Sequence, residues 1–421
     1  MTAAGAGARF AVAGDRVLDA RTGAWADGTI VLVEDNVIAG VTRSVPDGWP
    51  VIEMPGTSLL PGLIDAHTHV LLRSSYDELE LARQMVEENH GHRAASAVQA
   101  MAIAVRHGFT TIRDLGTEGA GYLDVGLRDA AREGIVPGPR MLVAGPAIRS
   151  TGRYPLAGQP HGMTFPVGID SCTGADACRQ TVRTQVANGI DCLKIYVSER
   201  ADPPASADGY PDGPLVWTEE EVRALVDEAH RQGIAVAAHS LTLSGARLAV
   251  AAGVDSIEHG FAISPDLAAG MAARGTALVP TLLITREHAA HGSGIPAQLR
   301  AAHDRSFVNC LEAGVRIVLG TDVGGFEWTR VAQAEEFALM TGLGMSPADA
   351  LQAGTRHAAE LLGLAGTAGV LGPGAAADIV AVAGDPLRDI TCLQQPELVI
   401  QGGRIAWDGH HLGWAGHGTT A

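Results

Sequence analysis

Four things are missing from this chain of 421 residues, and each absence removes a class of protein. There is no Cys-x-x-Cys pair among the five cysteines, Cys172, Cys178, Cys192, Cys310 and Cys392. An odd count without such a pair argues against a disulfide framework and against a cysteine zinc site. There is no basic stripe to offset a formal net charge of -17. Phosphates would meet no cationic surface, so neither nucleic acid nor an anionic membrane is an expected partner. There is no uninterrupted apolar run long enough to span a bilayer, although 46% of the residues are hydrophobic, a share inflated by alanine. Finally, Met1 to Arg9 has neither the basic nor the apolar region of a secretory signal, so the expected location is the cytoplasm. The acidic clusters at Asp77 to Glu80, Glu87-Glu88 and Glu219 to Glu221 read as a solvated surface. These exclusions leave a soluble protein with a small molecule as its partner; assembly into a homo-oligomer stays open.

What is present falls into two textures. The first sixty or so residues are short β-rich runs, Arg16 to Asp19, Thr29 to Val33 and Val37 to Val41, separated by Gly and Asp-Asn turn signals. The same texture returns in Ala377 to Val382, Leu398 to Gly403 and Arg404 to Gly409. Two strand-rich ends around a different middle predict a small β-sandwich built from both termini, residues 1–60 and 368–421. The middle, 61–367, alternates strand-like and helix-like stretches. Its β-like runs are Leu59 to His67, Thr110 to Leu115, Arg140 to Ala144, Cys192 to Val197, Val236 to His239, Ser256 to His259, Ala277 to Leu283 and Ile317 to Thr321. Between them lie helices with readable ends: Thr218 with Glu221 forms a capping box before a run stopping at Gly233, and Ser346 caps a helix that begins at Pro347 and stops at Gly363. The fold class is therefore α/β, and eight β-then-α units fit a (β/α)8 TIM barrel better than a doubly wound sheet. Two long insertions, Gly145 to Cys172 and Ser198 to Trp217, each follow a strand and so belong to the C-terminal face, where barrel active sites are built.

Polar residues collect at the strand ends of that barrel. Leu60 to His69 is an apolar run, broken once by Pro61-Gly62, that ends in His67 and His69; alternate side chains on a strand share a face, so the two could grip one ion. The fourth strand carries Lys194, the fifth ends in His239, the sixth in His259 and the eighth in Asp322. Each alone is an ordinary surface or capping residue. Together, ligand-type residues on five strands at one level of a barrel indicate a metal site. A lysine within a buried parallel strand adds a chemical clue. Burial disfavours its charge, and a neutral amine can take up carbon dioxide to give an anionic carbamate able to bridge two cations. His90-Gly91-His92, His230 and His410-His411 lie in helical or polar stretches and read as surface residues, and Arg113-Asp114, which could orient a ligand, reads as a structural salt-bridge pair.

These residues carry a resemblance. Pro61 to His69, Leu193-Lys194-Ile195-Tyr196, His239, Ile257-Glu258-His259-Gly260, Gly320-Thr321-Asp322 and the tail Gly369 to Val382 are similar to the motifs of the metal-dependent amidohydrolase superfamily. Within it the chain resembles the binuclear prolidase or Xaa-dipeptidase branch, near the imidazolonepropionase-like carboxypeptidases and the ochratoxin-degrading amidases. The resemblance implies two divalent metal ions, His67 and His69 holding one with Asp322, His239 and His259 holding the other, and carboxylated Lys194 as the bridge. Zinc is the expected ion, with manganese, iron and cobalt open on ligand type. It implies hydrolysis of the amide of a dipeptide or N-acyl amino acid by a metal-bridging hydroxide, with Asp322 moving the proton. It further implies that His161 touches the substrate carbonyl and that Tyr196 touches the substrate's α-carboxylate. Both pocket loops depart from the relatives. Thr151-Gly152 is followed by Arg153-Tyr154 and reaches His161 only later, and Val197-Ser198-Glu199-Arg200 replaces the usual Ser-Gly-Gly. Hydrolysis of a lactam, a carbamate or a phosphotriester on the same metals is the rival activity, and a metal-free barrel acting as a binding or scaffold protein is the rival class.

Overall fold

A computed structural model of the chain describes residues 9–151, 168–198, 206, 209–292, 297–330 and 332–409. Both ends contribute strands to a pair of sheets. The first has the order β5 (Val37–Thr42), β4 (Ile30–Glu34), β1 (Arg9–Ala13), β6 (Val51–Glu53). The second has the order β19 (Arg404–Asp408), β18 (Pro396–Gln401), β17 (Ile379–Ala383), β7 (Thr57–Pro61), β2 (Arg16–Asp19), β3 (Ala24–Trp25). Val12, Val31, Val33 and Ile38 from one sheet share an apolar core with Val17, Leu59, Ile379, Ala381, Leu398 and Ile400 from the other. The strand period of two then docks this unit on the rest of the molecule. Leu60, Val380, Val382 and Val399, which alternate with those residues, point into the large central core instead.

The expected first barrel strand proves to be two strands. Thr57 to Pro61 pairs with β17 in the terminal sheet, and β8 (Leu63–Thr68) enters the parallel set. Gly62 is the crossing point: its N–H donates to Asp378 O, and a Cβ there would fall 2.0 Å from Thr110 Oγ1. From β8 the parallel order runs to β9 (Phe109–Asp114) and β10 (Arg140–Val143). A second parallel set contains β11 (Ile148–Ser150), β12 (Asp170–Cys172), β13 (Cys192–Tyr196), β14 (Ala235–Ser240), β15 (Ser256–His259) and β16 (Ala277–Val279), in the order β12-β11-β13-β14-β15-β16.

Regular ladders do not close the ring. Asp191, just before β13, donates its N–H to Val143 O of β10 and accepts from Val143 N–H on Oδ2, and β11 meets β13 at the single Ile148 to Ile195 pair. The expected eighth strand is not regular either. Residues 316–323 bond to both neighbours, through Val318 N–H to Leu278 O, Ala66 N–H to Leu319 O, Asp322 N–H to His67 O and His69 N–H to Val323 O. Gly320 is squeezed, since a Cβ would lie 2.3 Å from Val279 Cγ1, and Asp322 turns to φ 62. Tight packing and a left-handed residue break the ladder while the segment still lies between β16 and β8.

The helix Glu219–Arg231 has the expected capping box at Thr218 and Glu221. The segment after Ser346 departs from expectation, ending first at Ala353 and resuming as Arg356–Leu361. Gly354 packs against Phe337, where a Cβ would lie 2.4 Å from Cζ, and Thr355 leaves helical geometry at φ -134. All five cysteines are free thiols, with Cys172 and Cys178 Sγ 3.0 Å apart in the core. Among the described residues no helix is long and apolar enough to cross a membrane.

Candidate metal centre

The C-terminal ends of β8, β13, β14, β15 and the 317–323 segment bring the six expected ligands together. Donor atoms of His67, His259 and Asp322 all lie within 4.8 Å of one another. His69 Nε2 is 3.3 Å from Asp322 Oδ1, and His67 Nε2 is 3.6 Å from the same oxygen. Lys194 Nζ lies 3.2 Å from His67 Nε2. The His239 and His259 rings are 4.5 Å apart by centroid, and His259 is 4.9 Å from His67. All but half-buried His239 are buried. His161 lies outside the described residues.

The donor chemistry fits a divalent cation. Burial lowers His67, His239 and His259 well below the ordinary imidazole range, helped by the basic groups they face: Lys194 and His69 for His67, His259 and Lys194 for His239, and His67 and Lys194 for His259. Neutral imidazoles offer lone pairs. Burial likewise lowers Lys194 from the ordinary ammonium range, with Glu258 and Asp322 opposing the shift. For Asp322 burial favours the acid, but attraction to His67, the hydrogen bond and attraction to His69, and attraction to Lys194 hold the carboxyl below its usual range. His69 is the exception. Burial opposes its charge, yet the hydrogen bond and attraction to Asp322 push it up to about 9.

Behind the donors stands a set of residues that sequence reasoning did not assign. His67 Nδ1 donates to Glu258 Oε2 at 2.7 Å, Arg113 donates to Glu258 Oε1 at 2.8 Å, and Ser256 Oγ donates to the same oxygen at 2.5 Å. His69 Nδ1 donates to Gly116 O, and His259 Nδ1 is hydrogen-bonded to Thr281 Oγ1. Bonds of this kind fix ring orientation and present the opposite nitrogen of His67 and His69 to Asp322. Arg113 is thus more than a structural pair, because its partner Glu258 holds a ligand histidine. The available signal was a carboxylate in Ile257-Glu258-His259, an unusual resident of a buried strand.

Backbone strain marks the same place. Among the described residues, non-glycine φ values are positive at Asp35, Glu118, His259, Thr281 and Asp322. Asp35 sits in a hairpin turn, whereas Glu118 follows β9, His259 closes β15, Thr281 follows β16 and Asp322 lies in the 317–323 segment. Such conformations cost of order 1–3 kcal/mol each and persist where the surroundings enforce them. The wall beside β13 holds Tyr196, whose hydroxyl donates to Glu118 Oε1 at 2.9 Å and whose ring lies 4.6 Å from His239. The Arg149 guanidinium lies 4.3 Å from that ring's centroid. Trp217, closing the second insertion, donates Nε1–H to Tyr196 O.

Residues 58–406 match the model of the amidohydrolase family. The chain is an amidohydrolase. It is 29% identical over 385 residues to ochratoxinase of Aspergillus niger, covering 84% of this chain and 75% of that one. It is 30% identical over 380 residues to an uncharacterized protein of Mycobacterium tuberculosis, covering 87% and 88%. A crystal structure of a Xaa-Pro dipeptidase with methionine bound in the active site superimposes with a TM-score of 0.82 at 28% identity, over 95% of this chain and 100% of that one. This amidohydrolase is an amide-bond hydrolase in the branch of the prolidase-like structures and ochratoxinase.

Proposed function

We propose that this amidohydrolase is a binuclear metal enzyme of the cytoplasm that cleaves the amide bond of a dipeptide or an N-acyl amino acid. The reading takes residues 61–367 as a (β/α)8 barrel and residues 1–60 with 368–421 as a β-sandwich beside it. The observation that supports it most is the convergence of His67, His259 and Asp322 donors within 4.8 Å, with buried Lys194 3.2 Å from His67. A lone lysine at that position would be an unfavourable neighbour for a cation; its carbamate would be a ligand.

His67, His69 and Asp322 would hold one ion, His239 and His259 the other, with carboxylated Lys194 between them and zinc as the metal these donors suit. When bound, such a pair supplies Lewis acidity toward an amide carbonyl and makes water at the site a stronger nucleophile near neutral pH. The chain's own residues do the rest. Glu258, Gly116 and Thr281 hold the imidazoles in place. Asp322, kept ionised by its cationic neighbours, takes the proton from the attacking water on a carboxylate oxygen and returns it to the departing nitrogen. Tyr196 and His161 meet the substrate.

The test combines metal analysis with a substrate panel of dipeptides, N-acyl amino acids, ochratoxin-like amides, lactams, carbamates and phosphotriesters. Active protein should hold about two equivalents of transition metal, and Asp322→Asn should fold, keep its metal and lose turnover. Less than about one equivalent in active protein overturns the two-metal reading. Turnover confined to lactams, carbamates or phosphotriesters overturns the substrate reading, and full activity of Asp322→Asn overturns the role of that carboxylate.

A further inference from the structure

Thr281, which holds the His259 ring, has a conformation that its own side chain disfavours. It follows β16 at φ 50 and ψ 48, in the left-handed region where a β-branched residue is an outlier. It also stands at the N-cap of the helix Leu282–Ala290, and a threonine there ordinarily turns its hydroxyl toward the first free N–H groups of the helix. Here it makes no such bond. Thr281 Oγ1 lies instead 2.8 Å from His259 Nδ1.

The free N–H groups of that helix are met from another element. Glu336, fully buried in the helix Glu335–Gly342, accepts Leu282 N–H on Oε1 at 2.8 Å and Leu283 N–H on Oε2 at 2.7 Å. One carboxyl group thus does for the helix what the Thr281 hydroxyl would otherwise do. On the other side of Thr281, buried His303 donates Nε2–H to Pro280 O at 2.7 Å. The peptides before and after Thr281 are therefore pinned, which enforces the left-handed turn and leaves the hydroxyl facing His259. A carboxyl group wholly withdrawn from water is costly to keep, and helix capping alone could be left to the threonine already at the N-cap.

We propose that Glu336 is a positioning residue for His259: by capping the helix Leu282–Ala290 in place of Thr281, it releases the Thr281 hydroxyl and fixes it on the His259 ring. The inference rests on the proposed two-metal reading, in which His259 holds one of the ions, and extends the support of that ion to a helix whose carboxyl group reaches His259 only through Thr281.

The experiment follows the His259 ring in metal-free protein by nitrogen NMR of labelled histidine, and zinc affinity by competition with a chelator. Thr281→Val, which loses the hydroxyl but keeps the shape, should shift the His259 ring signals, and Thr281→Ser should leave them in place. Glu336→Gln should shift the same signals in the same sense, yet add nothing in a Thr281→Val background, because the path is already cut. Gln333→Leu, one turn earlier and with its amide on Asp65, should leave them in place. With zinc, Glu336→Gln and Thr281→Val should each weaken one of two ions about 10–100-fold and the other by no more than about threefold, the double variant matching the singles. Unshifted His259 signals or unchanged zinc affinity in folded Glu336→Gln, shifts that add to those of Thr281→Val, or an equal shift in Gln333→Leu overturn the proposal and leave the two-metal reading standing. If Glu336→Gln does not fold, Glu336→Asp, which keeps the acceptor and shortens its reach, takes its place under the same criteria. If wild type takes up less than about one equivalent of zinc, the two-metal reading fails and the NMR alone decides for Glu336: the shared, non-additive shift upholds its role, and the absence of that shift overturns it.

Discussion

The terminal sheets and the strand ends around His67 obey opposite rules. In the sheets, apolar residues alternate between two cores, Ile379 and Ala381 on one side and Val380 and Val382 on the other, and the one positive φ outside glycine, at Asp35, occupies a hairpin turn. Around His67, Lys194, Arg113, Asp65, Glu118, Glu258, Asp322, His69 and His259 are buried, and Glu118, His259, Thr281 and Asp322 are held in left-handed conformations. The sheets contain what folding favours. The strand ends contain what folding tolerates because the neighbouring framework forces it, and departures of that kind gather where a protein binds or reacts.

Breaking each region should therefore give opposite phenotypes. The largest effect is expected for Lys194→Ala, which should lose the bridging ligand, bind less than half the metal of wild type, and fall about 10³-fold or more in kcat/KM while its urea midpoint changes little. Normal metal content with normal turnover in that variant would erase the contrast. Ile379→Ala, in the core between the sheets, should do the reverse: about 2–5 kcal/mol of stability lost in urea unfolding, with kcat and KM unchanged at 25 °C. A matching fall in kcat would mean the sheets take part in the chemistry.

Glu258→Gln sharpens the comparison from inside the site. It keeps the shape but weakens the hold on His67 and leaves Arg113 without its anion, so metal affinity should fall about 10–100-fold, read by competition with a chelator. The smallest effect belongs to Asp35→Gly. The turn already has the φ that glycine prefers, so stability should move by less than about 0.5 kcal/mol with activity intact; a large loss there would mean the turn carries more than a reversal of the chain.

Much of this was legible in the chain itself. The apolar run before His67, the capping box at Thr218 and the strand texture at both ends follow from short-range periodicity, which needs no tertiary contact to read. The histidine and aspartate candidates were legible for the same reason, each standing at the end of an apolar run, and Lys194 as a charge in the middle of one. What could not be read depended on residues far apart in sequence meeting in space. The break at Gly62 exists because Thr110 leaves no room for a side chain, and the irregular eighth segment exists because Gly320 is pressed against Val279 and His67.

Sequence by itself determined that this chain alternates strand and helix, ends in strands, carries five ligand-type residues at strand ends and a sixth within a strand, and belongs among hydrolases of amide bonds. Only the tertiary structure decided that Glu258 and Arg113 stand behind His67, that Tyr196 gives its proton to Glu118, and that Arg149 lies against the Tyr196 ring. The reason is geometric. A side chain's type and period are local properties, whereas the partner of a buried charge is chosen by strand register and packing, which join positions as distant as 113 and 258.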